Sequence, residues 1–194
     1  MAAVDSAAMF ELITPSSASH LEQLVALYTE TCVYHVALDA DYYRPGNPGV
    51  GADYAAAMAL GAGGLEDGRM RIIAATSSDE SGQQRLIGFV TFSVQEQDEH
   101  NDTHYQRCGV VEDIFVRPAD RAGGRQHGGG AGVGAALLTA AEAAFVAAGV
   151  RTLKLQVAAG NELAIGFYER QGLATRQVLM YKQLQSGSGG PHKL

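Results

Sequence analysis

The chain lacks the features of disulfide-rich, metal-binding and membrane proteins. It has only two cysteines, Cys32 and Cys108, and this pair has neither metal-ligand spacing nor the pattern of a disulfide framework. No apolar run approaches the roughly 18 residues that span a bilayer. We therefore expect reduced thiols, no metal site and no contact with a membrane.

A targeting signal is also missing from the N-terminus, which has no basic region followed by a long apolar stretch. We therefore expect a cytoplasmic protein. The final residues His192, Lys193 and Leu194 are a loose variant of the peroxisomal S-K-L signal, so a peroxisome-like organelle is the alternative.

Positive charge is scarce. The sequence has 14 Lys and Arg against 21 Asp and Glu, a net charge of −7. A nucleic-acid partner would require a basic face, so we expect none. The acidic balance is compatible with a cationic amine ligand, although it also simply keeps a protein soluble. The length of 194 residues favours one domain, which we place at residues 9–184 with flexible tails at 1–8 and 185–194.

Apolar periodicity predicts strands and helices in the first half of the chain. Alternating residues indicate a strand at Met9–Thr14, and the capping-box pattern Ser19–Glu22 indicates the start of a helix. From His35 to Pro48 the sequence mixes aromatic, acidic and basic side chains, so this segment is either a loop that contacts a substrate or an ordinary surface loop. The other predicted elements are a helix at Ala52–Leu60 and strands at Arg69–Thr76 and Arg85–Val94.

The second half follows a strand–helix–strand order. A strand at Val110–Val116 precedes a helix that starts near Val133, and a strand at Thr152–Val157 follows it. Such a βαβ crossover is parallel and right-handed. A further helix runs from Asn161 to Gln171, and Ala174–Leu184 is the last predicted strand. The predicted fold class is α/β, with an α+β mixed sheet that is antiparallel in the N-terminal half and has one parallel βαβ crossover in the C-terminal half.

A glycine-rich loop joins the strand Val110–Val116 to the next helix. It reads R-A-G-G-R-Q-H-G-G-G-A-G over Arg121–Gly132. A helix N-terminus behind such a loop has unpaired N–H groups and a positive dipole end, which suits an anion such as a pyrophosphate. No G-K-[ST] motif is present, and the dinucleotide fingerprint is not matched because its strand lies too far upstream. The loop therefore predicts an enzyme that binds a phosphorylated cofactor.

Three segments together resemble the GNAT superfamily of acyl-CoA-dependent N-acetyltransferases. They read V-E-D-I-F-V-R-P, G-V-G-A-A-L-L and N-E-L-A-I-G-F-Y-E-R-Q-G-L. The resemblance implies a GNAT-like fold, acetyl-CoA as co-substrate and direct transfer of its acetyl group to a primary amine in a ternary complex. The amine belongs either to a small molecule or to a protein, and family habit adds a homodimer. The alternative is a non-catalytic acyl-CoA-binding or regulatory module with the same fold.

The resemblance also implies the residues that contact acetyl-CoA. Backbone groups of Ile114, Phe115 and Val116 would pair with the pantetheine arm where this strand separates from the next, and would hold the thioester carbonyl. The phosphate loop departs from the family pattern by an insertion of about eight residues between Gly124 and Val133, a length that surface loops tolerate. The implied phosphate contacts are Gly132, Val133, Gly134 and Ala135, with Arg121 and Gly124 ahead of the insertion.

Two side chains are implied in catalysis. Tyr168 matches the family's general acid near the CoA sulfur, since a phenol is a sensible proton donor to a thiolate; the alternative is a core aromatic beside Phe167. Glu112 is the candidate base, and the alternative is a structural carboxylate. Asp113 is expected on the opposite face because side chains alternate along a strand. Asn161 is expected to cap its helix and to contact the cofactor.

Overall fold

The computed structural model of the protein describes residues 10–61, 64–65, 67–78, 82–96, 106–121 and 132–182. The chain divides into two compact units, Met1–Asn161 and Glu162–Leu194. The domain bounds 9–184 stay a prediction. No helix within the described ranges is long and apolar enough to cross a membrane.

In the described part of the first unit, five strands form a mixed sheet. They lie side by side in chain order, and each pairs antiparallel with the next except the last two, which are parallel. The sequence-based fold prediction, an antiparallel first half followed by one parallel crossover, is thus confirmed. The strands are β1 (Glu11–Ile13), β2 (Arg71–Ser78), β3 (Gln84–Glu96), β4 (Arg107–Val116) and β5 (Leu153–Leu155).

Helices cover both faces of this sheet, namely α1 (Ala18–Leu38), α2 (Val50–Leu60) and α3 (Val133–Ala147). Phe89 and Phe92 are three residues apart on β3, so they point to opposite faces. Phe89 belongs to a buried cluster with Leu24 of α1 and Tyr54 of α2, whereas Phe92 lies edge-on to Phe145 of α3 with ring centroids 5.5 Å apart. Burying each such ring contributes about 1.5–3 kcal/mol.

The boundaries of α1 differ from those that the sequence predicts. Ser17 is the N-cap, and its side chain accepts the N–H of His20 at 3.1 Å. The predicted capping box at Ser19 was therefore misplaced by two residues, because Ser17 offers the same cap earlier in the chain. The prediction that the helix breaks at His35 was also wrong. The helix continues to Leu38, since no glycine or proline interrupts it there.

The second unit contains α4 (Glu162–Arg170), which confirms the predicted helix. The strand predicted at Ala174–Leu184 is absent from the described residues 173–182. An alternating pattern only makes a segment suitable for a sheet, and a strand exists when a neighbour pairs with it. The large apolar side chains of this segment are exposed, namely Val178, Leu179, Met180 and Tyr181.

Candidate active site

The strand β4 changes its pairing half-way along its length. Its first half pairs with β3 on one side and, over Gly109–Val111, with β5 on the other. The ladder to β5 ends at the pair Val111–Leu155, whereas β4 continues to Val116. Among the described residues, Glu112–Val116 therefore have no strand on the β5 side, as expected for a strand that separates from its neighbour. We call this side of Glu112–Val116 the open edge; such an edge offers backbone groups to an extended ligand.

Backbone hydrogen bonds show which residues face the open edge. The N–H of Arg117 donates to the carbonyl of Ile87 on β3 at 2.9 Å. Successive residues of an antiparallel strand direct their N–H groups alternately to its two sides. The backbone of Phe115 is therefore directed at β3, and the N–H groups of Ile114 and Val116 face the open edge. Of the three residues predicted to pair with a pantetheine arm, these two are placed to do so.

A β-bulge at Glu112 places two carboxylates on the same face of the sheet. The register between β3 and β4 shifts here, and Glu112 has no partner on β3. Thr91 and Ser93 are two residues apart on β3 and so share a face; Thr91 hydrogen-bonds to Asp113 and Ser93 to Glu112. The prediction that Asp113 points to the opposite face from Glu112 is therefore wrong, because the bulge interrupts the alternation.

Asp113 is the more buried of the two carboxylates. The hydroxyl of Thr91 accepts the N–H of Asp113 at 3.0 Å and donates to its Oδ2 at 3.5 Å. Glu112 is exposed, and its Oε1 accepts from Ser93 Oγ at 3.1 Å and from Gln95 Nε2 at 3.5 Å. Burial raises the pKa of Asp113 and the charge of Glu112 raises it further, against a lowering by the Thr91 hydrogen bond. A carboxylate with a raised pKa is a better proton acceptor near neutral pH.

A cavity of about 390 Å³ is lined by Asp113 and by side chains of α1. The α1 side chains are Tyr28, Thr31, Cys32 and His35. Burial, together with a side-chain hydrogen bond to Cys32, raises the pKa of Tyr28 to about 12. Burial lowers the pKa of His35. Tyr28 and His35 are therefore both uncharged at neutral pH, and this wall is aromatic and polar but carries no cation.

The segment 39–49 forms another wall of the same cavity, with Tyr42, Tyr43, Arg44 and Gly46. The Tyr43 ring stacks on His35 at 4.9 Å between centroids and meets the Tyr42 ring edge-on at 4.9 Å. The tyrosines of this segment thus line a cavity, and contact of this loop with a substrate stays a prediction.

The first turn of α3 has backbone N–H groups without a partner inside the helix. Gly132 is the N-cap, with φ −64° and ψ 159°. Its carbonyl accepts the N–H of Ala136 at 3.0 Å, which is the first bond of the helix. The N–H groups of Val133, Gly134 and Ala135 therefore have no partner within the helix. Of the four phosphate contacts implied after the insertion, Val133, Gly134 and Ala135 thus carry the N–H groups of this first turn.

Tyr34 connects three parts of the first unit that lie far from it in the sequence. Its hydroxyl donates to Asn161 Oδ1 at 3.0 Å. The guanidinium of Arg121 lies 5.6 Å from the Tyr34 ring centroid and 5.6 Å from that of Phe115. Arg121 Nε also donates to the carbonyl of Val116 at 2.8 Å. The end of β4, the start of the glycine-rich loop and Asn161 are thereby held together by a residue of α1 that sequence reasoning missed.

Tyr168 belongs to the second unit, where it is half-buried on α4. Its ring centroid lies 5.2 Å from that of Phe167. Its carbonyl accepts the N–H groups of Gln171 and Leu173, which closes the end of the helix. The role of Tyr168 as a proton donor stays a prediction.

Two further predictions from the sequence concern Gly124 of the glycine-rich loop and a metal site. Gly124 lies outside the described residues. Within the ranges that are described, no group of three or more His, Cys, Asp or Glu side chains could hold a metal ion.

A model of the acetyltransferase (GNAT) family matches residues 64–173, more than half of the chain. The chain belongs to this family. The match includes β4, the bulge, the start of α3 and Tyr168. No curated protein matches this GNAT protein in sequence.

Solved structures show the same fold at low sequence identity. A mutant of the BH1408 protein from Bacillus halodurans is 17% identical, with a TM-score of 0.67 over 92% of this chain and 100% of that one. The aminoglycoside 6'-N-acetyltransferase AAC(6')-Ih from Acinetobacter baumannii is 15% identical, with a TM-score of 0.59 over 92% and 99% of the two chains. AAC(6')-Iy, solved with a bisubstrate analogue of CoA and acetylneamine, is 18% identical, with a TM-score of 0.58 over 92% and 100%.

Proposed function

We propose that this GNAT protein is an N-acetyltransferase that transfers the acetyl group of acetyl-CoA to a primary amine by direct attack in a ternary complex. The observation that carries the proposal is the bulge of β4, where an open strand edge adjoins a cavity that contains Asp113. A thioester along the edge and an amine in the cavity would meet there. A cytoplasmic location, a homodimer and the absence of nucleic-acid and membrane partners stay predictions.

The open edge and the first turn of α3 would hold acetyl-CoA. The N–H groups of Ile114 and Val116, which face the open edge, would pair with the pantetheine arm as an added strand. The N–H groups of Val133, Gly134 and Ala135, which have no partner within the helix, would bind the pyrophosphate, where the helix dipole also favours negative charge. The remaining predicted contacts are Phe115, Arg121, Gly124, Gly132, Asn161 and Tyr168.

Asp113 is the base that this arrangement favours. The amine gives a proton to the Asp113 carboxylate, and its nitrogen forms a bond with the thioester carbonyl carbon as the carbon–sulfur bond breaks. The departing thiolate takes a proton, and the role of Tyr168 as its donor stays a prediction from the family resemblance. N–H groups of the open edge stabilise the charge on the carbonyl oxygen. Glu112, the base predicted from the sequence, contributes by raising the pKa of Asp113.

Two assays on the purified protein test this function. Titration calorimetry with acetyl-CoA, beside CoA and NADPH as controls, measures the cofactor preference. Thiol release in the presence of primary amines measures the reaction. We expect micromolar binding of acetyl-CoA, no heat from NADPH, and thiol release that depends on the amine.

Each alternative gives a different result in these assays. Binding of acetyl-CoA without thiol release from any amine indicates the alternative of a non-catalytic acyl-CoA-binding module. Absence of any heat with acetyl-CoA contradicts the proposal at its first step and implies that the inserted loop prevents binding.

A further inference from the structure

The cavity at Asp113 is lined by one acidic and one basic side chain. Asp113 is half-buried on β4, and Arg44 is exposed on the segment 39–49. The other described lining residues are of uncharged types, apart from His35, whose pKa is lowered by burial. A ligand in this cavity therefore meets one negative and one positive group.

Neither charged group has a partner of opposite charge in the described part of the chain. The side-chain partner of Asp113 is the neutral hydroxyl of Thr91. Arg44 makes no hydrogen bond or salt bridge with a described residue. A half-buried carboxylate without a cation is costly, and a ligand ammonium beside it would offset that cost.

Tyr28 shows that both charges act on the same space. Burial is the main cause that raises its pKa; the charge of Asp113 adds to the increase and the charge of Arg44 opposes it. The pKa of the Tyr28 phenol therefore responds to both charges. Tyr28, Asp113 and Arg44 all line this cavity, so a ligand within it is exposed to both charges.

A polycationic acceptor does not suit this lining. Its second ammonium would approach Arg44, and like charges brought together at a binding surface oppose association. The nearby carboxylate of Asp39 is engaged by the backbone N–H groups of Asp41 and Tyr42 and does not line the cavity. The volume of about 390 Å³ is at the small end of the range for ligand pockets.

We propose that the acceptor is a small amino carboxylate, with its amine at Asp113 and its carboxylate at Arg44. This proposal rests on the proposed function, since it names the substrate class of the same cavity. The planar fork of an arginine binds a carboxylate through two parallel hydrogen bonds, which gives the interaction both strength and geometry. The amine end lies at the bulge, where the acetyl group would be transferred.

Direct binding tests this assignment without requiring turnover. Three probe series of two to six carbons are titrated into the full chain saturated with CoA: ω-amino carboxylates, alkylamines and α,ω-diamines. We expect the best ω-amino carboxylate to bind at least about tenfold more tightly than the alkylamine or diamine of equal length, as one charge-assisted pair provides. Equal or tighter binding of the diamines, or no binding of any series, would overturn the proposal.

Variants of Arg44 sharpen the test. Arg44→Gln should remove the preference for the carboxylate, and Arg44→Glu should reverse it in favour of the diamines. Arg151→Gln makes the same change of charge at an exposed residue that does not line the cavity, and it should leave the preference unchanged. An unchanged preference in Arg44→Glu contradicts the proposal.

Thiol release separates this proposal from the proposed function. Suppose that CoA is released from acetyl-CoA at similar rates with amines of all three series, and that Arg44→Glu does not change these rates. The protein is then an acetyltransferase, and the proposed substrate class is wrong. If amino carboxylates bind through Arg44 but release no thiol with acetyl-CoA, the ligand class stands and the enzyme is wrong.

Discussion

The two halves of β4, Arg107–Val111 and Glu112–Val116, differ in their side chains and in their surroundings. In the first half, Cys108–Val111 are buried and the strand pairs on both sides. In the second half, β5 has ended, the bulge has turned Asp113 towards the cavity, and one edge is open. A one-residue bulge thus places Asp113 at the cavity, and the short length of β5 leaves one edge of β4 without a described strand beside it.

The first half depends on close packing against α3. A Cβ atom on Gly109 would lie 2.8 Å from the ring of Phe145, so the strand and the helix approach closely only because this residue is glycine. The second half differs in carrying two carboxylates and an edge that no described strand covers. We therefore expect substitutions in the first half to affect stability and those in the second half to affect activity.

The largest effect is expected for Asp113→Asn in the second half. Loss of the base should reduce kcat about 10²- to 10⁴-fold and leave the affinity for acetyl-CoA unchanged. The measurement is thiol release under saturating substrates, with the exposed Asp41→Asn as control. A rate close to that of the unaltered protein would exclude Asp113 as the base.

The same variant should also become more stable at neutral pH. Folding raises the pKa of Asp113, so its contribution to stability is present below the unfolded-state pKa and is lost as the pH rises through the folded-state pKa. An amide avoids that loss. Denaturant unfolding at pH 7 should show a higher midpoint for Asp113→Asn, and the difference should disappear in acid.

The packing of α3 against the first half of β4 is tested by Phe145→Ala. This variant should lower the free energy of unfolding by about 3–5 kcal/mol, because it leaves a cavity beneath Phe92 and Gly109. Denaturant unfolding measures the loss. Val146→Ala is the matched control, since Val146 is 72% exposed and its truncation should change the stability by no more than about 0.5 kcal/mol. Similar losses in the two variants would show that α3 does not pack through Phe145.

A smaller effect on the rate is expected from the interaction between the two carboxylates. The charge of Glu112 raises the pKa of Asp113, so Glu112→Gln should lower that pKa. The base is active when deprotonated, and the acidic limb of the kcat/KM profile should therefore move to lower pH. If Glu112 were itself the base, as the sequence alone predicts, the variant would lose the rate at every pH instead of shifting the profile.

The smallest effect is expected at Tyr34. Tyr34→Phe removes the hydrogen bond to Asn161 but keeps the ring beside Arg121, at a cost of about 0.5–1.5 kcal/mol. We expect the Kd for acetyl-CoA to rise by less than about tenfold. Tyr34→Leu, which also removes the ring, should weaken binding further in calorimetric titration. Equal affinities in both variants would show that Tyr34 does not organise the cofactor side.

Much of the fold was predictable from local patterns. The β-branched run Val110–Val116 and the helical period after Val133 indicated a strand–helix–strand crossover, and the segment N-E-L-A-I-G-F-Y-E-R indicated the family. Element ends were less accurate: Ser17 caps α1 two residues before the predicted start, and the extent of a strand depends on pairing with residues distant in the sequence. The last predicted strand failed for that reason.

The site was predicted only in part. Asp113 was assigned to the wrong face because a bulge leaves no mark in hydrophobic periodicity. A signal did exist: an ideal strand covered on both faces would have buried one of the adjacent Glu112 and Asp113 under α3, and a bulge avoids this. Tyr34 could not be found, since its bond to Asn161 joins residues 127 positions apart.

Residue-resolved amide hydrogen exchange, with and without saturating acetyl-CoA, tests most directly whether the open edge of β4 is the cofactor site. We expect slower exchange at Ile114 and Val116 when acetyl-CoA is bound. Exchange at Gly109 should not change, because its N–H already donates to the carbonyl of Thr152 at 2.8 Å. Unaltered exchange at Ile114 and Val116 in the presence of bound acetyl-CoA would contradict the account.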